Sequence, residues 1–278
     1  MNIDLHMHTI CSDGQYEIND LIEMAISNNL KIISITDHDS IEGLKKIKKN
    51  KKIKIINGIE LTSRLNKESI HILGYNIDIN NSYLNEKLDM IRTNKFYTMM
   101  NCLNYLKEKY NIVFNSYDIA KFFNSKGTIS RADLAKLCVK YGYASSIDKA
   151  FDKYLGDIYN HININEIQIT PSEAIKLIHQ ANGIAILAHP KVIKTDNIEE
   201  LIKKLKENGL DGIEVYHSLH NQDDVEKYLN IAKKYKLLTT GGSDFHGENK
   251  DDIKLDFSIK NKLTTDKITM LKKVDMHE

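Results

Sequence analysis

Apolar and polar positions alternate in short blocks over the first 75 residues. Residues 3–5 are a short strand candidate that ends in His6-Met7-His8. Residues 17–29 place Ile18, Leu21, Ile22, Ala25 and Ile26 on one stripe, which predicts an amphipathic helix. A second strand candidate, the apolar run 32–35, leads straight into Thr36-Asp37-His38-Asp39, and the basic segment 41–50 reads as a surface helix. Residues 53–56 predict a third strand, ahead of Gly58-Ile59-Glu60, and residues 70–75 a fourth that contains His71. Strands and helices alternating at this spacing predict an α/β layering with parallel strands.

The pattern changes near residue 80. Residues 84–110 keep a helical period through Leu84, Leu88, Ile91, Met99, Leu103 and Leu106, and further helical stretches follow at 130–141 and 146–155. This predicts a helical insertion, residues 81–165, inside a domain built from residues 1–80 and 166–278. The α/β rhythm resumes at Pro171, which suits a first helical turn, with Gly183 as the stop. A strand at 184–187 precedes Ala188-His189-Pro190, a helix is expected at 197–208, and a strand at 213–216 precedes His217. A helix at 221–235 and a last strand lead to Gly241-Gly242-Ser243-Asp244-Phe245-His246.

Composition narrows the classes. With 39 basic and 38 acidic side chains, the formal net charge is +1, so no strong overall field for nucleic acid or membrane follows. A local basic cleft remains compatible with a short oligonucleotide. Three scattered cysteines, Cys11, Cys102 and Cys138, make poor material for a disulfide framework or a zinc knuckle. The N-terminus is too polar for a signal peptide, and no apolar run approaches the roughly 18 residues of a membrane span. The expectation is a cytoplasmic protein with no membrane contact and no obligate protein partner.

Chemistry gathers where the strands end. His6, His8, His38, His189 and His246, with Asp13, Glu60 and Asp244, fall at or just beyond the carboxyl ends of separate strands, and His71 lies within one. Ligands bind at the carboxyl ends of strands in parallel barrels and sheets, so distant segments converge on one mouth. Taken singly, each residue has a plain reading: a core histidine pair, a surface loop, a helix cap. Taken together they predict a shared metal site, because imidazoles and carboxylates suit zinc, manganese or iron. The set exceeds what one tetrahedral ion needs and would serve two or three ions, particularly if Glu60 bridges. Hydrolysis follows as the chemistry, with a phosphate group as the natural substrate moiety; amide or lactam hydrolysis would use similar ligands.

Other residues are open. Asp37 could orient a ring from behind. Glu214 would point into the barrel or support a ligand, and His217 or His220 could donate a proton to the leaving oxygen. Arg131 reads either as a surface helix residue or as a two-donor phosphate contact. Cys11 lacks a dedicated base, so covalent catalysis is not expected of it. His161, His179 and His277 have no motif around them and read as structural or exposed.

The segments at 4–14, 36–39, 58–60, 188–190 and 242–246 resemble the signature segments of the polymerase and histidinol phosphatase (PHP) superfamily. Within it the chain is similar to the tryptophan-operon-linked phosphoesterases, a subgroup that includes nucleoside 3',5'-bisphosphate phosphatases and RNase AM-like 5'→3' exoribonucleases. The resemblance implies a distorted (β/α)7 barrel with a helical insertion over the cleft and a trinuclear centre of Mn2+, Fe2+ or Zn2+. It implies one ion on His6, His8, Glu60 and Asp244, a second sharing Glu60 with His71 and His189, and a third on Asp13, His38 and His246. It further implies that Arg131 contacts substrate phosphate and that His217 lies near the leaving group, as a substrate contact or proton donor. One departure stands out: Asp133 occupies a position where the subgroup usually has histidine, which puts the exact substrate in doubt. The expected function is hydrolysis of a phosphate monoester of a small nucleotide, 3',5'-bisphosphate favoured, by water activated at the metal centre. Alternatives are 5'→3' cleavage of short RNA or DNA, a histidinol-phosphatase-like activity, and an inactive metal-bound interaction domain.

Overall fold

The structure is a computed structural model. It describes residues 1–48, 50–65, 68–125, 130–162, 169–247, 254–255 and 263–274. Among the described residues seven strands form one sheet in chain order: β1 (Ile3–Asp4), β2 (Ile32–Ile35), β3 (Lys54–Leu65), β4 (Glu68–Tyr75), β5 (Ile184–Leu187), β6 (Gly212–His217) and β7 (Leu238–Gly242). The sheet curls until its edges meet. Leu5 N–H donates to Gly241 C=O, Asp244 N–H to His6 C=O and His8 N–H to Phe245 C=O, at 3.3, 2.8 and 2.9 Å. The result is a nearly closed α/β barrel, as expected from the sequence.

The period-2 pattern sorts side chains between two cores. Ile33 and Ile35 face outward to the helices, packing with Leu21, Ile22 and Ala25 of α1 (Ile18–Ser27). Ile3, Leu5, Ile32, Ile56, Leu73 and Ile186 face the interior, where Leu263, Ile268 and Met270 pack with them. Helices α2 (Ser82–Tyr110), α3 (Ser116–Ser125), α4 (Arg131–Lys140) and α5 (Ile147–Ala150) follow β4. They gather a separate apolar cluster around Cys102, Leu106, Leu134, Cys138 and Leu155. The rest of the shell is α6 (Pro171–Gln180), α7 (Ile198–Glu207) and α8 (Gln222–Tyr235).

Several expectations change. The strands are not all parallel: β4 runs antiparallel to both β3 and β5. Only two residues separate β3 from β4, and a parallel crossover needs a dozen or more. Glu60 is not beyond its strand but inside it, since β3 continues to Leu65 by pairing with β4 after its pairing with β2 stops at Asn57. The basic segment 41–50 contains only a 3-10 turn, Leu44–Lys46. Its closely spaced lysines repel one another along a helix, which disfavours a longer one. The 146–155 helix breaks after α5 into a π turn, Phe151–Leu155, closed by Gly156 N–H donating to Phe151 C=O at 2.8 Å. Helix α6 begins as expected, with Pro171 at its start and a Thr170–Glu173 capping box. It ends instead on left-handed Asn182, φ 60°, while Gly183 N–H caps Ile178 C=O. The insertion boundary at 165/166 lies outside the described residues.

Gly242 at the end of β7 packs closely against Asp4 and His6. A Cβ there would sit 2.4 Å from the His6 backbone nitrogen and 2.9 Å from Asp4 Oδ1. Gly242→Ala should therefore spread the seam that holds His6 and destabilise the barrel by about 1–3 kcal/mol. Thermal unfolding of the variant checks this; an unchanged midpoint would contradict the close approach.

Candidate metal centre

Glu60 has no exposed surface, and its two carboxylate oxygens face different partners. Oε2 lies 3.1 Å from His6 Nε2, 3.2 Å from His8 Nε2 and 3.3 Å from His38 Nδ1. Oε1 lies 2.9 Å from His71 Nδ1 and 2.9 Å from His189 Nε2. Asp244 Oδ1 closes the first group, 3.4 Å from His6 and 3.2 Å from His8. Asp13 Oδ1 meets His246 Nε2 at 3.1 Å, and Asp13 Oδ2 meets His38 Nε2 at 3.8 Å. All of the ligand candidates thus meet in one place. Among the described residues four compact groups could hold an ion: His6, His8, Glu60 and Asp244; His8, Asp13, His38 and His246; His38, Glu60 and His71; and His6, Glu214 and His217. His189 stands outside the third group but shares Glu60 Oε1 with His71.

Backbone geometry delivers these side chains. His6 and His8 follow β1 at i and i+2 and turn the same way, while Met7 bridges to Phe245 and packs in the core. The loop after β2 zips onto β3: Glu60 N–H donates to Asp37 C=O at 3.2 Å, and Asp39 N–H donates to Glu60 C=O at 2.9 Å. That pairing sets His38 beside Glu60. His71 reaches the same mouth because β4 is reversed, so the early part of this strand lies at the carboxyl ends of its neighbours. His189 and Asp244 hold positive φ, 26° and 59°, a region that costs non-glycine residues energy and collects at functional sites.

Hydrogen bonds from behind fix the rings. Glu214 accepts from His6 Nδ1 at 2.9 Å and from His189 backbone N–H at 2.8 Å, so it supports two of the candidate ligands. His246 Nδ1 donates to Asp244 C=O at 2.7 Å, which leaves Nε2 aimed at Asp13. Asp37 does not touch a ring. It accepts from Thr9 N–H and Oγ1 and from Ser12 Oγ, at 2.7, 2.7 and 2.6 Å, and Ser12 in turn sits 3.4 Å from His8 Nδ1.

Burial and mutual charge set the protonation of the ion-free protein. Burial opposes ionisation of Glu60 and Asp13. The surrounding histidines outweigh it and hold both carboxyls well below the usual range. Burial disfavours charge on His6 and His8, but the neighbouring carboxylates prevail, raising His6 well above its usual value and His8 to about 9. His38 goes the other way, down to about 3, because burial prevails there.

The donors fit divalent cations. His8 Nε2, His38 Nδ1 and His246 Nε2 are buried and close to carboxylate oxygens, yet they make no aligned hydrogen bond. Atoms that face a common point without pairing are matched by a cation at that point. The imidazole and carboxylate set suits zinc, manganese or iron.

The remaining candidates divide. His217 Nδ1 accepts from Leu219 N–H at 3.2 Å, so the neutral ring carries its proton on Nε2, which lies 3.7 Å from Asp244 Oδ2. His220 is turned away, donating Nδ1–H to Val215 C=O at 2.8 Å beside Tyr228. Burial lowers its pKa to about 4. Arg131 lines a cleft of about 280 Å³ together with Asp13, His38 and His71. Asp133 borders that cleft too, but its Oδ2 accepts from Ser130 N–H and Oγ at 3.0 and 3.1 Å, capping α4. Cys11 is buried and its thiol pKa pushed up by burial, which suits an inert side chain. His161 pairs with Asp157 and His179 with Asp211, away from the centre. His277 lies outside the described residues. Sequence reading missed Arg64, Lys95 and Tyr159, which also line the cleft. Arg64 stands four residues beyond Glu60 on β3 and so on the same face, a signal that period 2 carries.

Among the described residues no helix is long and apolar enough to cross a membrane. The PHP domain model matches residues 4–161. A "5'-3' exoribonuclease" of Haemophilus influenzae is 31% identical over 87% of this chain and 89% of its own. A "3',5'-nucleoside bisphosphate phosphatase" of Chromobacterium violaceum is 28% identical over 91% and 90%. A solved structure described as an amidohydrolase from Chromobacterium violaceum, with bound sulfate and no metal, superposes with a TM-score of 0.77 at 27% identity, covering 91% of this chain and 90% of that one. A family match over more than half of the chain, joined to a donor cluster that fits divalent cations, leads to one conclusion: the chain belongs to the PHP domain family and is a metal-dependent phosphoesterase.

Proposed function

We propose that this phosphoesterase hydrolyses a phosphate monoester of a small nucleotide, with nucleoside 3',5'-bisphosphates favoured, at a centre of two or three divalent ions. The split of the Glu60 carboxylate carries the reading: Oε2 serves His6, His8 and His38, and Oε1 serves His71 and His189, the arrangement of a bridging ligand. The first ion takes His6, His8, Glu60 and Asp244; the second Glu60, His71 and His189; the third Asp13, His38 and His246. Manganese, iron or zinc bound there supplies Lewis acidity toward a phosphoryl oxygen and lowers the pKa of water.

The side chains do the rest. Glu214 keeps His6 and His189 in the productive orientation. Arg131 meets a phosphate of the substrate with a fixed fork of donors. His217 presents Nε2–H toward the leaving oxygen. The catalytic barrel comprises residues 1–80 and 166–278, and the helical insertion 81–165 covers the cleft, a division supported by Arg131 and Tyr159 lining the cleft beside Asp13, His38 and His71. The second reading, stepwise 5'→3' cleavage of short RNA or DNA, is favoured by the name of the Haemophilus influenzae relative.

Phosphate release from a panel of nucleoside bisphosphates with manganese present separates the two. Rapid release supports the first reading. Release of mononucleotides from a 5'-phosphorylated oligomer, with no turnover of the panel, replaces it with the second. His8→Ala and Asp244→Ala should each abolish turnover while keeping the circular dichroism of the parent; activity retained in both removes the assigned centre. Metal binding should also release protons at pH 7, because His6 and His8 are protonated in the ion-free protein and must lose that proton to ligate. Apparent affinity should therefore rise as the pH climbs toward about 9. Calorimetry in buffers of different ionisation enthalpy reads the proton count, and a count of zero contradicts these protonation states.

A further inference from the structure

The cleft carries two guanidinium groups on one aromatic ring. The Arg131 guanidinium lies 4.4 Å from the Tyr159 ring centre and that of Arg64 lies 5.7 Å from it. Arg131 Nη1 donates to the Leu155 and Gly156 carbonyls at 3.3 and 3.1 Å, the carbonyls at the end of the π turn. Its other N–H groups make no hydrogen bond among the described residues. Arg64 forms no ion pair there either: its backbone N–H donates to Ile169 C=O, while its side chain rests on Tyr159. Two like charges converging on one ring repel each other, and a guanidinium stacked on a ring keeps its in-plane donors available. Asp133 also borders the cleft, with its carboxylate accepting from Ser130 at the cap of α4. Such a guanidinium pair is matched by an anion with several oxygens.

We propose that Arg64, acting with Arg131 against Tyr159, forms an anchoring subsite for a second phosphate, the one that is not hydrolysed. This rests on the phosphomonoesterase reading and deepens it. The reacting phosphate lies at the donor cluster, among Asp13, His38 and His71. The second phosphate of the same nucleotide lies across the cleft on the two arginines. Arg64 is thus a specificity-determining residue.

Steady-state kinetics of the manganese-loaded full chain with adenosine 3',5'-bisphosphate and with p-nitrophenyl phosphate test this. Arg64→Gln should lower the ratio of kcat/KM for bisphosphate over the simple monoester by about tenfold or more, the weight of one charge-assisted hydrogen bond. The change should fall mainly in KM, and Arg64→Lys should recover part of it. An unchanged ratio, whether both substrates fall together or neither does, overturns the proposal. If the parent does not hydrolyse the bisphosphate, the functional reading fails separately. Calorimetric binding of the same bisphosphate then decides the subsite: about tenfold weaker binding to Arg64→Gln supports it, and equal binding overturns it.

Discussion

The Glu60 carboxylate has no contact with solvent, and five imidazoles stand within 3.3 Å of its oxygens. An ionised group in that position is tolerated only when counter-charge and hydrogen bonds surround it. Histidines arriving from β1, from the loop after β2, from β4 and from the end of β5 supply that surrounding. They gather imidazole nitrogens and carboxylate oxygens around one point, a donor set that divalent cations match.

The barrel is shaped by the need to bring those donors together. Closure from β7 to β1 runs through the backbone at His6, His8, Asp244 and Phe245, so the seam of the barrel is also a wall of the site. Gly242 permits the approach because it has no side chain to hold the strands apart. The reversed β4 puts His71 opposite His189, and left-handed backbone at His189 and Asp244 aims both inward at an energetic cost that the surrounding hydrogen bonds offset. Glu214 couples two of the arrivals, holding the ring of His6 and the backbone of His189 with its two oxygens.

The helices between β4 and α6 have an apolar core of their own, so their contribution to the site comes from polar residues at their margin. Lys95 of α2 pairs with Asp39, whose other oxygen accepts from Thr62 N–H at 2.8 Å. That contact ties α2 to the loop that carries His38. Arg131 at the start of α4 is braced by the carbonyls that the π turn turns outward. Lys95, Arg131 and Arg64 therefore share one cleft with Asp13, His38 and His71.

Much of this was written locally along the chain. Hydrophobic period, turn residues and polar clusters behind apolar runs were enough to place the strands, most of the helices, the long α2 and the imidazoles and carboxylates that gather at the candidate centre. Local pattern does not encode strand direction, so β4 was expected to run parallel, although the two-residue gap after β3 forbade it. Nor does it say how far a strand outlasts its neighbour, which is why Glu60 was placed beyond β3 rather than within it. Which Glu60 oxygen faces which histidine, which ring nitrogen is held from behind, and that Asp133 turns to its helix cap are all set by contacts between residues far apart in sequence. So is the pairing of Arg64 with Arg131 on Tyr159. The sequence determined the chemistry available, because side-chain type and strand-end position are local properties. Only the tertiary structure decided how that chemistry is partitioned, because partition depends on the direction in which each side chain arrives.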